Sequence, residues 1–269
     1  MILDQLIERL HGEGRLRVWS LAVTIFGDAV APRGGAIAMA DLSAILERLG
    51  AEPGAVRTAM SRLARDGYVE REKEGRRSFY RLAPASAAEF ERATARIYAA
   101  QPAEWSGTWT IALGPEAAET PPGFAAISPG AWIAPDAAEA PEGLFVIKGG
   151  VGAPPEWARD ILSPPALAAR YADLNEAWKG FDPAATTGID AIAARVLLIH
   201  DWRRILLRDA PLPRALRPAN WPGARARDLV ADLYLRLAPA SEAWLDACAA
   251  AADRPLPKPD ADHDKRFHA

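Results

Sequence analysis

The chain holds one cysteine, Cys248, in 269 residues. A single thiol excludes an intramolecular disulfide and a cysteine-rich zinc site. The four histidines, at 11, 200, 263 and 268, are scattered with no metal-like spacing. No apolar run is long enough to span a membrane. Met1 to Leu10 carries Asp4 and Glu8 where a secretory leader would be continuously apolar. A cytoplasmic protein is therefore expected. An excess of basic residues is also missing: 32 Lys+Arg face 35 Asp+Glu, a net charge of −3. Attraction to nucleic acid would have to come from a local patch, not a global field. There is no Gly-x-Ser-x-Gly elbow, phosphate-cradling glycine loop or His/Glu metal signature. Gly149-Gly150-Val151-Gly152 lacks the Gly-Lys-Ser/Thr ending of a phosphate loop and reads as a turn. His200-Asp201 sits in helical sequence, where neighbours point about 100° apart and cannot align as an acid–base pair. No catalytic residue, cofactor or metal is expected.

What is present is concentrated between Asp41 and Leu82. Asp41-Leu42-Ser43-Ala44-Ile45-Leu46 opens a short helix with Asp41 as N-cap. Leu49-Gly50-Ala51-Glu52-Pro53 is a tight turn that places proline at the first position of the next helix. In that helix, Pro53 to Asp66, Val56, Met60 and Leu63 recur at i, i+4, i+7 and form one apolar stripe. Arg57, Thr58, Ser61, Arg62 and Arg65 fill the opposite arc. Three guanidiniums and two hydroxyls on one face suit phosphate oxygens and guanine edges. Two alternating runs follow, Tyr68 to Glu72 and Ser78 to Leu82, around the basic turn Lys73-Glu74-Gly75-Arg76-Arg77. That pattern predicts a β-hairpin, with Lys73, Arg76 and Arg77 near its tip and Glu72 and Glu74 diluting their charge. Helix, turn, helix and basic hairpin in this order predict a winged helix-turn-helix. Residues 1 to 82 hold thirteen Lys+Arg against eleven Asp+Glu, so they carry +2 and the remainder −5.

Several runs resemble the PaaX family of bacterial repressors of phenylacetate degradation. They are Ser20 to Asp28, Pro32-Arg33-Gly34-Gly35, Val56 to Leu63 and Gly75 to Leu82. A second group lies far downstream: Leu198 to Asp209, Leu212-Pro213 and Trp221-Pro222-Gly223. The resemblance covers nearly the whole chain except its tail. It implies a transcriptional repressor that binds double-stranded operator DNA and is released by phenylacetyl-CoA or a related acyl-CoA.

The fold class expected is α+β in several domains. Residues 1–83 are read as the winged helix-turn-helix and 84–102 as a linker helix. Leu16 to Val30 is the helix that closes the reader core, with Trp19, Val23 and Phe26 inward and Arg15 and Arg17 at its start. The first ten residues suggest a further helix available for dimer contacts. Gln101-Pro102 stops the linker helix. Residues 103–182 hold four strand-like runs (Trp105 to Leu113, Gly123 to Ser128, Ala131 to Ala134, Leu144 to Lys148) and then helical sequence. They suggest a small α+β domain of ferredoxin-like type, with a Pro-rich stretch where a first crossover helix would stand. Residues 183–252 read as helical, Cys248 included, and 253–269 as a frayed tail.

One effector reading comes from the second helical region. His200, Arg204 and Arg208 recur one turn apart, with Arg203 beside them. Such a row suits the phosphates of an acyl-CoA, and Trp202, Trp221 and Trp132 are candidates for its apolar pocket. Asp201 and Asp209 could instead pair with these arginines. A single reader helix covers few base pairs, so a homodimer on a two-fold site is expected. Two other classes stay open: an architectural protein whose basic helix contacts protein, and an acyl-CoA enzyme with an appended winged helix.

Overall fold

The computed structural model describes residues 2–12, 14, 16–99, 105–121, 123–135, 140, 142–150, 155–210 and 212–268. Arg15, the stop at Gln101 and Pro102, and Val151-Gly152 lie outside them. In chain order the helices and strands begin with α1 (Ile2–Gly12), α2 (Val18–Ile25), β1 (Ala36–Ala38), α3 (Met39–Arg48) and α4 (Pro53–Arg65). Next come β2 (Val69–Glu74), β3 (Arg77–Leu82), α5 (Pro84–Ile97), β4 (Thr108–Leu113), β5 (Ala125–Ser128) and β6 (Ala131–Pro135). The chain continues through β7 (Phe145–Gly150), α6 (Glu156–Leu162), α7 (Pro165–Ala177), α8 (Ile189–Leu206) and α9 (Pro222–Leu245). It closes with β8 (Ala249–Ala251) and β9 (Arg254–Pro255). The class is α+β with antiparallel sheets.

These elements divide into two compact units, and neither is continuous in sequence. The first comprises Met1–Ala100, Glu176–Arg204 and Asp228–Ala269; the second comprises Gln101–Asn175 and Ile205–Arg227. The serial order of domains expected from the sequence is thereby corrected. Pattern reading assigns a segment to its sequence neighbours, whereas burial assigned the segments after residue 175 to two separate cores.

In the first unit α8 is the central helix. Ala191 to His200 are all buried, the polar Arg195 and His200 among them, as expected of a helix enclosed on every side. α1 turns Leu3, Leu6, Ile7 and Leu10 inward, so its apolar face is used within the unit and is not free for dimer contacts. In α2 the buried stripe is Val18, Leu21, Ala22 and Ile25, while Trp19 is 38% exposed. The inward role expected of Trp19 is thus corrected by one helical position. Phe26–Val30 continues α2 as a π turn, and Phe26, Asp28, Ala29 and Val30 all become buried.

Asp28 is 1% exposed and Arg195, from α8, is 0% exposed. The Arg195 Nε donates to Asp28 Oδ2 at 2.8 Å. Arg266 Nη1 donates to the Asp28 carbonyl at 2.8 Å and to Oδ1 at 3.1 Å. Tyr98 and Tyr234 hydroxyls donate to the same Oδ1 at 2.5 and 3.2 Å. Burial pushes the Tyr234 phenol up to about 12, partly against the pull of Arg195. Glu242 adds a second carboxylate, paired with Arg195, Arg33 and His263. Burial opposes the charge on Glu242, but hydrogen bonds from His263, Arg195 and Arg33 hold it well below the usual carboxylate range.

This network also corrects the reading of the tail. Phe267 packs edge-on to Tyr98 and Tyr234, each at 5.3 Å, and its N–H donates to the Tyr98 carbonyl at 3.1 Å. Its φ of 61° is tolerated because packing and Arg266 fix the segment. Arg266, the bond from Arg33 to the Pro257 carbonyl and the Phe267 ring anchor what composition alone marks as frayed. Cys248 likewise leaves the helix expected for it: α9 ends at Leu245, and the buried thiol is pushed up to about 12 by burial and then by the charge of Asp41.

The second unit is built on a four-stranded sheet of order β5-β6-β4-β7, every neighbour antiparallel. Trp109, Ala125 and Ile133 lie on one face with Leu162, Leu212 and Leu216. Ala112, Trp132 and Ala134 lie on the other with Phe124, following the two-residue period of strands. Asp209 and the buried Arg217 form an ion pair at 2.5 Å, and the Tyr171 hydroxyl donates to Asp209 at 2.9 Å.

Replacing Asp28 by Ala leaves two guanidiniums buried without their shared carboxylate. A cost of about 3–5 kcal/mol is expected, measured by urea unfolding against wild type. A loss under about 1 kcal/mol would show that water replaces the carboxylate at no net penalty.

Candidate nucleic-acid interface

α3 and α4 are joined by the turn Leu49 to Glu52, and Gly50 there has φ 83°. A Cβ at that position would meet the exposed His11 ring at 2.3 Å, a clash the ring can relieve by moving, so it is the positive φ that calls for glycine. α4 starts with Pro53 at its first position and buries Val56, Ala59, Met60 and Leu63. The structure places Arg57, Thr58, Ser61, Arg62 and Arg65 together on the exposed face, as the period predicts. Asp41 does not cap α3, which begins two residues earlier at Met39; its carboxylate accepts the Ala249 N–H at 2.9 Å.

The cations of α4 are held loosely. Arg62 Nε reaches Asp66 at 3.4 Å and its guanidinium lies 5.8 Å from the Trp19 ring. Arg65 pairs with the same Asp66 at 3.1 Å. Arg62 and Arg65 side chains keep 58% and 74% of their surface exposed, and such ion pairs exchange readily for phosphate. The Thr58 hydroxyl donates to the Gly54 carbonyl at 3.0 Å, leaving its oxygen lone pairs to the exterior. Trp19 belongs to this surface and was missed because its position fits an inward stripe.

β2 and β3 form the expected hairpin, paired from Val69↔Leu82 to Glu74↔Arg77, and β3 pairs with β1 on its other side. The turn is Gly75-Arg76, with Gly75 at φ 59°. Lys73, Arg76 and Arg77 are exposed. Arg71 donates to Ser78 Oγ at 3.0 Å across the ladder.

The proposed effector row is not assembled. His200 is buried, with Nδ1 3.0 Å from Thr24 Oγ1. Burial, and then the cations Arg203 and Arg204, lower its pKa to about 3. Arg203 donates to Thr24 Oγ1 at 2.7 Å and to the Ser20 carbonyl at 2.7 Å. Trp202 is buried and donates to the Ile97 carbonyl at 3.0 Å. These three residues bind α8 to its neighbours, so their reading as ligand contacts is corrected. Arg204 is half-buried in the first unit, whereas Arg208 is exposed and belongs to the second. Trp221, in the second unit, is stacked 4.6 Å from the Arg217 guanidinium and edge-on to Tyr171 at 5.8 Å. Trp132 fills the sheet core. Asp201 pairs with Arg9, and Asp209 with Arg217.

A groove of about 790 Å³ lies within the first unit. Gly35, Leu82, Phe90, Ala95 and Tyr98 line it with Arg81 and Lys265. Neither this groove nor the Asp28 network had a sequence signal beyond the runs that contain Asp28 and Arg33.

A family profile described as PaaX-like protein matches residues 17–86, and one described as PaaX-like protein C-terminal domain matches 165–247. The transcriptional repressor PaaX of Escherichia coli (strain K12) is 31% identical over 282 residues, covering 92% of this chain and 89% of that protein. The chain belongs to the PaaX family. The uncharacterized protein Rv0674 from Mycobacterium tuberculosis shares its fold, with a TM-score of 0.51 over 77% of this chain and 91% of that one at 22% identity. The first PaaX segment contains Asp28, Arg33 and all of α4, and the second contains Arg195, Tyr234 and Glu242. The buried ion network therefore joins the two PaaX segments. Among the described residues no group of acidic, histidine or cysteine side chains could hold a metal ion, and no helix is long and apolar enough to cross a membrane.

The lowered pKa of His200 carries a sign. Between its ordinary 6.5 and about 3 the unfolded chain takes up a proton that the folded chain refuses. Stability present above pH 6.5 is lost as pH falls through this window, by at most about 1.4 kcal/mol per pH unit. His200→Gln should flatten that slope in urea unfolding followed from pH 7 to 4. An unchanged slope would assign the acid sensitivity elsewhere.

Proposed function

We propose that this protein is a DNA-binding transcriptional repressor that reads its operator through a winged helix-turn-helix, with α4 in the major groove and the β2–β3 hairpin as wing. What supports this reading is that α4 exposes a face bearing Arg57, Ser61, Arg62 and Arg65, and that the hairpin following it in the chain exposes Arg76 and Arg77 at its tip. Guanidiniums on α4 suit guanine edges, and those at the wing suit phosphate or the minor groove. The E. coli relative is a repressor by name, which supports the direction of regulation. We read the sheet of the second unit as ferredoxin-like, because its strand order runs second, third, first, fourth.

We further propose a homodimer bound to two half-sites about 34–36 Å apart or a multiple of that. Edge strand β7 supports it. Phe145 is 66% exposed there, with Val146 and Ile147 also exposed, and an apolar edge of this kind favours cover by a second copy. For the effector, the family resemblance points to an acyl-CoA formed from phenylacetate. We place its acyl end in the 790 Å³ groove, whose volume suits such a ligand. Arg81 and Leu82 of its wall belong to β3, so occupancy would bear directly on the wing.

Gel shifts with the upstream region of its own operon test the reader. Arg62→Ala should lose about 1–3 kcal/mol of operator discrimination with little change in melting temperature. Replacing both Arg76 and Arg77 by Ala should flatten the salt dependence by roughly one to two log–log units. Wild-type affinity in the first variant, or an unchanged slope in the second, would refute the corresponding contact.

Phenylacetyl-CoA should release operator DNA, and free phenylacetate should not. Ala95→Trp, built from an exposed position of α5 into the groove, should bind operator normally yet resist release. Normal release from that variant would move the effector site elsewhere.

A further inference from the structure

Glu74 is an acidic side chain at the tip of a hairpin read here as facing DNA, where electrostatics alone disfavours it. The structure gives it a partner. The Ala252 N–H, in the turn between β8 and β9, donates to Glu74 Oε2 at 2.7 Å. The Ala252 carbonyl accepts from Arg77 Nη1 at 3.4 Å. Glu74 and Arg77 face each other across the last pair of the β2–β3 ladder. One peptide residue thus offers a donor and an acceptor to an acceptor and a donor set side by side.

The β8–β9 hairpin is fastened elsewhere on the same unit. Ala249 N–H donates to Asp41 of α3, and Leu256 N–H donates to the Cys248 carbonyl at 2.8 Å, which closes the hairpin. Just beyond it, the Pro257 carbonyl accepts from the buried Arg33 at 2.8 Å and Asp260 N–H donates to the Pro32 carbonyl at 2.9 Å. A two-stranded hairpin with an exposed tip is mobile when nothing braces it. Here the brace is attached to the reader body at both ends.

We propose that the β8–β9 hairpin is a strut for the wing, and that Glu74 is a positioning residue that holds the wing through the Ala252 backbone. Its carboxylate is retained beside DNA because it accepts that hydrogen bond. The consequence for binding rests on the winged-helix reading above; the brace itself does not.

Two substitutions separate the brace from the charge. Glu74→Gln keeps an acceptor oxygen and removes the charge, whereas Glu74→Ala removes both. Trypsin can cut the wing after Lys73, Arg76 and Arg77, and cleavage from a locally opened state follows the opening equilibrium. Loss of one hydrogen bond should speed wing cleavage about 2- to 12-fold in Glu74→Ala, while Glu74→Gln should be cut as wild type. Equal cleavage of all three proteins would overturn the strut.

Operator binding supplies the second readout. Glu74→Ala should bind more weakly than wild type and Glu74→Gln at least as tightly. Equal gains in both variants would show Glu74 to be only an unfavourable charge. If wild type binds no fragment of its own operon, the DNA reading falls, and the cleavage rates still decide the strut.

Discussion

The first unit depends on the carboxylate of Asp28. It is buried, and it receives Arg195 from α8, Arg266 from the C-terminal segment, and the hydroxyls of Tyr98 and Tyr234. A buried ion pair adds little net stability, because desolvation offsets most of the Coulomb gain. Its effect is on which arrangement is allowed: with one partner misplaced, a charge is left in a low-dielectric core. The π turn that extends α2 puts Asp28 where all four partners converge. α3, α4 and the hairpin are built directly onto that segment, so the proposed reader inherits its position from an interaction that never touches DNA.

The exposed surface follows the opposite rule. Arg57, Ser61, Arg62 and Arg65 serve no core, and the ion pairs of Arg62 and Arg65 with Asp66 are solvated and exchangeable. Such side chains cost the fold almost nothing to carry and remain available to a polyanion. Arg33, Arg195, Arg217 and Arg266 are buried and committed to carboxylates and carbonyls. Arginine thus has two uses in this chain. The row from His200 to Arg208 shows how they are confused: a helical repeat of cations looks like a ligand site whether it faces solvent or a neighbouring helix.

Helix α4, its apolar stripe, its cationic face and the hairpin were legible in the sequence because each is set by residues within one or two turns of each other. Periodicity, a proline at the first helical position and a glycine in a tight turn act locally. The four strands of the second unit were legible for the same reason. Trp19 was misread because an i, i+4, i+7 stripe through Trp19, Val23 and Phe26 was as good on paper as the stripe through Val18, Leu21 and Ile25 that is buried.

The sequence by itself determined the local elements, the polarity of each helix face and, through its runs of motif residues, membership of the PaaX family. Tertiary structure decided which charged residues are structural, that the tail is an anchored segment, and that both units are assembled from separated stretches. The reason is physical. Asp28 and Arg195 are 167 positions apart, and Asp28 and Arg266 are 238 apart. A buried charge selects its partner by proximity in the folded core, and no local pattern records which distant residue will be there.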